Sequence, residues 1–105
     1  MKPKKSLPTN QKESEIRAAI KEYLQWTGWF VFHHLQGLGC YPGLPDLEAV
    51  KDGQIVYIEV KTSTGRQRKD QIQFQADVDA HGGTYIVARG IEDVEHLNLK
   101  GVKTS

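Results

Sequence analysis

Residues 43–61 read Gly43-Leu44-Pro45-Asp46-Leu47-Glu48-Ala49-Val50-Lys51-Asp52-Gly53-Gln54-Ile55-Val56-Tyr57-Ile58-Glu59-Val60-Lys61, two alternating apolar runs on either side of Asp52-Gly53. Asp-Gly between such runs is the strongest short-range hairpin signal, because the two-residue turn needs positive φ at its central positions. With those two residues as the turn, Lys51 faces Gln54, and the same register places Asp46 opposite Glu59. Counted from the closing pair this is a non-hydrogen-bonded position, where Cα atoms are about 4.5 Å apart and side chains lie closest. Lys61 is two residues beyond Glu59 and points to the same face.

The register also separates the two faces. Leu47, Ala49, Val56, Ile58 and Val60 form one wholly apolar face, which must pack against helices. Asp46, Glu48, Val50, Ile55, Tyr57, Glu59 and Lys61 form the other, apolar near the turn and charged at the far end. Two carboxylates facing each other repel unless something positive lies between them. A divalent cation with a taste for oxygen, Mg²⁺ or Mn²⁺, is the simplest partner. Ordinary solvent-facing acids with Lys61 as their salt-bridge partner are the alternative. Glu48 shares the face one pair nearer the turn, opposite Tyr57, and is the rival for a ligand role.

Pro45-Asp46 followed by Glu59-Val60-Lys61 resembles the signature of the PD-(D/E)xK phosphodiesterase superfamily. Gly43-Leu44 ahead of it, Gly65-Arg66 leading to Gln71, Gly82-Gly83 before a strand and Glu92-Asp93-Val94 resemble more specifically its VRR-NUC branch. The resemblance spans most of the chain. It implies an α/β fold with a restriction-endonuclease-like core, in the order α-β-β-β-α-β with a short final helix, the mixed sheet flanked by helices. It also implies a metal-dependent nuclease acting on DNA, with Asp46, Glu59 and the Val60 main-chain carbonyl holding Mg²⁺ or Mn²⁺. Glu15 on the first helix would complete the cluster directly or through water. Lys61 would stabilise charge on the nucleophile or the phosphorus, and Gln71 would orient the lysine or the attacking water.

Composition sets the outer bounds. At 105 residues the chain is one domain, with 38% hydrophobic residues and a net charge of +1, so any nucleic-acid contact must come from local clustering of its Lys and Arg. A single cysteine, Cys40, fits a reducing compartment. No apolar run approaches the roughly 18 residues of a membrane span and no signal peptide is recognisable, so a cytoplasmic location without membrane association is expected.

Residues 1–9 hold three lysines and two prolines and read as a loose basic arm ahead of a single domain at 10–105. Asn10 and Glu13 form a plausible capping pair for a helix running to about Thr27, with Ile16, Ala19, Ile20, Tyr23 and Leu24 as its buried stripe. Glu15, stacked under Ala19, borders that stripe. Residues 29–34 read as a strand. Trp26 and Trp29 bracket its entry and are expected in the core, with base stacking as the alternative. His33 and His34 are adjacent and cannot chelate one ion together.

Residues 36–43 form a glycine-rich loop. After Lys61 comes a cationic segment with Arg66, Arg68 and Lys69, either a solvated loop or a phosphate-positioning one. A helix at about 69–80 turns Gln71, Phe74 and Val78 to one side, and Gly82-Gly83 ends it. Residues 84–88 read as a buried strand and 91–97 as a short final helix.

A domain this small has little surface for reading sequence, so structure-selective cleavage of branched, flapped or four-way-junction DNA by a homodimer is expected. Two alternatives remain. A non-catalytic nucleic-acid-binding module would keep the fold and the basic loop. A paired-carboxylate hydrolase such as a glycosidase would need acids about 5 to 9.5 Å apart and an aromatic sugar cleft, and would leave Lys61 unexplained.

Overall fold

The computed structural model describes residues 11–98, so the basic arm and the Asn10 cap of the sequence reading lie outside the described residues. Two helices and four strands follow one another as α1 Glu13–Trp26, β1 Phe30–His33, β2 Leu47–Lys51, β3 Gln54–Val60, α2 Lys69–Ala80 and β4 Thr84–Ala88. The expected final helix is instead two 3₁₀ turns, Ile91–Asp93 and Glu95–Asn98. The sheet order is β1-β2-β3-β4, antiparallel through β3 and parallel between β3 and β4. A parallel pair cannot be joined by a hairpin, and α2 is the crossover that joins it.

The hairpin has the expected register, Lys51 with Gln54 and Leu47 with Ile58. Asp52 and Gly53 both have positive φ, 51° and 80°, as this turn requires. Its apolar face is buried in full: Leu47, Ala49, Val56, Ile58 and Val60 are at 0% exposure and pack against Ile16, Ile20 and Leu24 of α1, with Val94 of the last turns closing the same core. Complete burial of medium-sized aliphatic side chains stabilises by about 1.5–3 kcal/mol each, so this face holds the fold together.

The N-terminus of α1 differs from the sequence reading. Glu15 Oε1 accepts the Lys12 amide at 3.1 Å, so Glu15 occupies the third helical position of a capping arrangement and satisfies a donor of its own helix end. Trp29 is in the core at 4% exposure, its indole N–H donating to Asn98 Oδ1 at 3.0 Å, but Trp26 is 84% exposed. The reason is position. Trp26 is the last residue of α1, two past Leu24, and the helix turns it away from the sheet.

The second sheet face is covered unevenly. α2 lies over β3 and β4, where Phe74 meets Tyr57 and Tyr85 at ring separations of 5.5 and 6.1 Å. Beyond it Phe30 and Ile55 are 65% and 46% exposed. The loop from β1 to β2 closes the gap at the charged end, where Gly43 has φ +81° and a Cβ on it would collide with the Asp70 carbonyl. Gly43→Ala is therefore expected to cost about 3 kcal/mol or more, from left-handed strain plus steric overlap. Gly39→Ala, with positive φ but open space around it, is expected to cost only about 1 kcal/mol. Urea denaturation of the two variants measures the difference.

Candidate active site

The β2–β3 ladder ends at Leu47 with Ile58. The next narrow pair would join Pro45 to Val60. Pro45 has no N–H, and its carbonyl already accepts His34 Nδ1 at 2.8 Å and Gln36 Nε2 at 3.1 Å. The Val60 amide donates instead to Asp46 Oδ2 at 2.8 Å. Asp46 therefore stands just outside the ladder, its carboxylate taking the place of a strand carbonyl. Its other oxygen meets the Arg17 guanidinium at 3.5 Å.

Glu59, by contrast, is inside the fold, at 3% exposure. Its Oε2 accepts Gln71 Nε2 at 2.6 Å and lies 3.4 Å from Lys61 Nζ. Its Oε1 is buried without a hydrogen-bond partner. Burial first, and the Asp46 carboxylate second, push the Glu59 carboxyl up from 4.5 to about 7, with Glu13 adding to the rise and Lys61 opposing it. Gln71, also at 3% exposure, is held at both ends. Its Oε1 accepts the Arg68 amide at 2.9 Å, which leaves its NH₂ to face Glu59. Gln71 thus positions Glu59, where the sequence reading had it orienting Lys61 or a water.

Asp46, Glu59, Lys61 and Gln71 open onto one cleft of about 500 Å³. The helix α1 supplies a different acid from the one expected. Glu13 lines the cleft, while Glu15 is exposed and engaged at its own helix end. At 3.6 residues per turn Glu13 lies close to the centre of the stripe made by Ile16, Ile20 and Leu24, whereas Glu15 is about 140° away. That angle was available in the sequence, and a wheel drawn on the three buried aliphatics alone finds it.

Arg17 is a second residue that sequence reasoning missed. One turn on from Glu13, it lies 3.9 Å from that carboxylate and bridges toward Asp46. It contributes with Lys21 to a small cationic group beside His33, whose pKa burial lowers most, followed by Lys21 and Arg17, against the pull of Asp46.

The cationic segment after Lys61 borders the same cleft. Arg68 lines it and pairs at the surface with Asp70 at 3.2 Å, while Arg66 and Lys69 are exposed. Arg89 braces this segment, its Nη1 donating to the Thr62 and Gly65 carbonyls at 2.6 and 2.7 Å. Cys40 is half-buried and lines the same cleft. Glu48 is taken by His34, Nε2 to Oε1 at 2.8 Å, so it stands apart from the acid pair.

Among the described residues no three or more His, Cys, Asp or Glu side chains come together as a complete metal cage. The donor set nevertheless fits a Mg²⁺-type ion, which is commonly held by one or two carboxylates, with water and substrate phosphate filling the rest. Asp46 and Glu59 are the two, and the orphaned Glu59 Oε1 is the atom such an ion would satisfy.

A solved structure described as a VRR_NUC domain is similar to this chain, with 24% identity, coverage of 81% of this chain and 91% of that one, and a TM-score of 0.69. At that identity the likeness establishes the shared α/β fold and its element order. No family model and no curated protein matches the chain. Separately, no helix among the described residues is long and apolar enough to cross a membrane.

The raised Glu59 pKa has a thermodynamic consequence. The folded chain holds this proton more tightly than the unfolded one, so the contribution is complete below pH 4.5 and is lost as the pH rises through about 7. Its size is at most about 3 kcal/mol. In EDTA, the unfolding free energy from urea titrations is expected to fall between pH 5 and pH 8. Glu59→Gln is expected to remove that component and to be the more stable form at pH 8.

Proposed function

We propose that this protein is a Mg²⁺- or Mn²⁺-dependent nuclease that hydrolyses phosphodiester bonds in DNA. The observation that carries the reading is the pairing of Asp46 and Glu59 beside a buried lysine, each acid held by one oxygen and left with the other unsatisfied or weakly engaged. The shared fold with a VRR_NUC domain supports it. Such an acid pair, costly to bury without a cation, is what a catalytic metal site requires and what a purely structural ion pair does not explain.

Held by Asp46, Glu59 and the Val60 main-chain carbonyl, a divalent ion would supply Lewis acidity toward the phosphate and lower the pKa of a water. The chain's own residues do the rest. The Val60 amide keeps Asp46 aimed into the cleft, and Gln71 does the same for Glu59. Lys61, held beside Glu59 by burial at 8% exposure, presents an ammonium that stabilises charge developing on the phosphoryl oxygens or the attacking oxygen. Arg66, Arg68 and Lys69 of the segment after Lys61, and Arg17 beside Asp46, hold flanking phosphates. Glu13, rather than Glu15, is the acid of α1 close enough to adjust this field.

The substrate we infer is branched, flapped or four-way-junction DNA, cut by a homodimer whose two-fold axis matches that of a junction. The test is cleavage of single-stranded, duplex, flap and four-way-junction DNA with Mn²⁺ or Mg²⁺. Asp46→Asn and Lys61→Met are each expected to lower the rate at least about 100-fold, and Glu15→Gln to leave it unchanged. Binding of DNA with no cleavage of any form by the folded wild-type chain would favour the non-catalytic binding module instead.

A further inference from the structure

A second cavity of about 500 Å³ lies on the same sheet face, on the other side of the Pro45-Asp46 peptide, and is lined by His34, Tyr41, Glu48, Tyr57, Phe74 and Asp77 among others. Four rings gather there. Phe74 meets Tyr41 at 5.8 Å and Tyr57 at 5.5 Å, both nearly edge to face, and His34 lies 6.2 Å from Tyr57. Tyr41 is 63% exposed. A large ring standing in a loop with most of its surface in water contributes little to the core and offers a face for stacking.

This cavity and the ionic cleft share their walls. In the loop ahead of β2, Pro42 and Gly43 line the ionic cleft while Tyr41 and Leu44 line the aromatic cavity. On α2, Asp70 and Gln71 line the first and Phe74 the second, one helical turn or about 5.4 Å further on. His34 joins the two chemically. It lies against Glu48 in the cavity, while its Nδ1 contacts the Pro45 carbonyl and its backbone amide donates to the Asp46 carbonyl, both at 2.8 Å.

We propose that the aromatic cavity receives one unpaired nucleobase next to the scissile phosphate. The base stacks on the exposed face of Tyr41 with Phe74 against its edge, and Glu48 accepts a hydrogen bond from its exocyclic amino group. The inference rests on the nuclease reading and names what that reading leaves open, the feature of DNA that is selected. A base stacked in a duplex cannot enter, so the nucleotide beside the cut must be single-stranded or extruded. Aromatic rings accept any base by its π-face. Glu48 narrows the choice, because a carboxylate accepts from the exocyclic amino group of cytosine, adenine or guanine and repels the carbonyl oxygens of thymine, which has no such group. His34 takes one carboxylate oxygen and leaves a second for the base.

The probe is a short single-stranded deoxyoligonucleotide carrying 2-aminopurine, a fluorescent base with an amino group, titrated with the full chain in Ca²⁺ or EDTA. Quenching on binding is expected, with affinity about tenfold weaker for Tyr41→Leu. Trp26→Ala, an exposed ring at the end of α1, is expected to leave it unchanged. On a flap substrate the same Tyr41→Leu change should raise KM about tenfold with little change in kcat. An abasic nucleotide beside the cut should cost the wild type as much and cost the variant nothing further. Glu48→Gln, which keeps an oxygen for His34 and adds an NH₂ donor, should move the preference from cytosine toward thymine at that position.

Quenching and KM indifferent to Tyr41→Leu would overturn the inference while leaving the nuclease reading standing. So would dissociation of a dimer on Tyr41→Leu, which would mean that a second copy fills the cavity. Loss of all cleavage with quenching intact would overturn the nuclease reading and leave the base site in place.

Discussion

A backbone amide deprived of its ladder partner is the constraint around which this site is built. Val60 occupies the position where the β2–β3 pairing would next exchange hydrogen bonds, but Pro45 has no N–H and its carbonyl faces His34 and Gln36. A buried N–H left unpaired would cost about 1–3 kcal/mol. Asp46 Oδ2 relieves that cost, and the carboxylate is fixed in return. One hydrogen bond thus ends the hairpin and aims the acid. It explains why a proline stands directly before the aspartate: a residue with an ordinary amide and a strand-directed carbonyl would continue the ladder and leave Asp46 unanchored.

The second acid is held by the opposite strategy. Where Asp46 sits at the edge of the sheet, Glu59 is carried into the interior by the ladder, and its charge is opposed by burial and by Asp46. Gln71 and Lys61 engage one oxygen and leave the other without a partner. Native interiors rarely tolerate an orphaned carboxylate oxygen, and those that persist usually have a functional reason. The imbalance is sustained by the apolar contact of α1 with the other sheet face, which is insensitive to charge at the cleft.

The two sheet faces therefore divide the work. One is covered by α1 and carries the stability. The other is only half covered by α2, and along it the side chains change from ionic at Glu59 and Lys61 to aromatic at Tyr57, Phe74 and Tyr41. The proposed phosphate chemistry and base binding would use these two kinds of surface, and the Pro45-Asp46 peptide is the boundary between them.

Local rules carried much of this without coordinates. Asp52-Gly53 set the hairpin register, alternation set its buried face, and Gly82-Gly83 marked the end of α2, because each depends only on backbone preference and period within a few residues. They also placed Asp46, Glu59 and Lys61 together, since all three lie on one hairpin. What only the tertiary structure decided is how the remaining elements meet that hairpin. It brought Arg17 against Asp46 and left Glu15 capping its own helix. It turned Gln71 onto Glu59 and left Trp26 in solvent, and it brought Tyr41 of a loop against Phe74 of α2. These depend on the rotation of helices about their axes and on long-range packing, where 100° per residue separates neighbours in sequence onto different faces. A hairpin determines its own contacts, but the helices laid upon it take their orientation from the whole core.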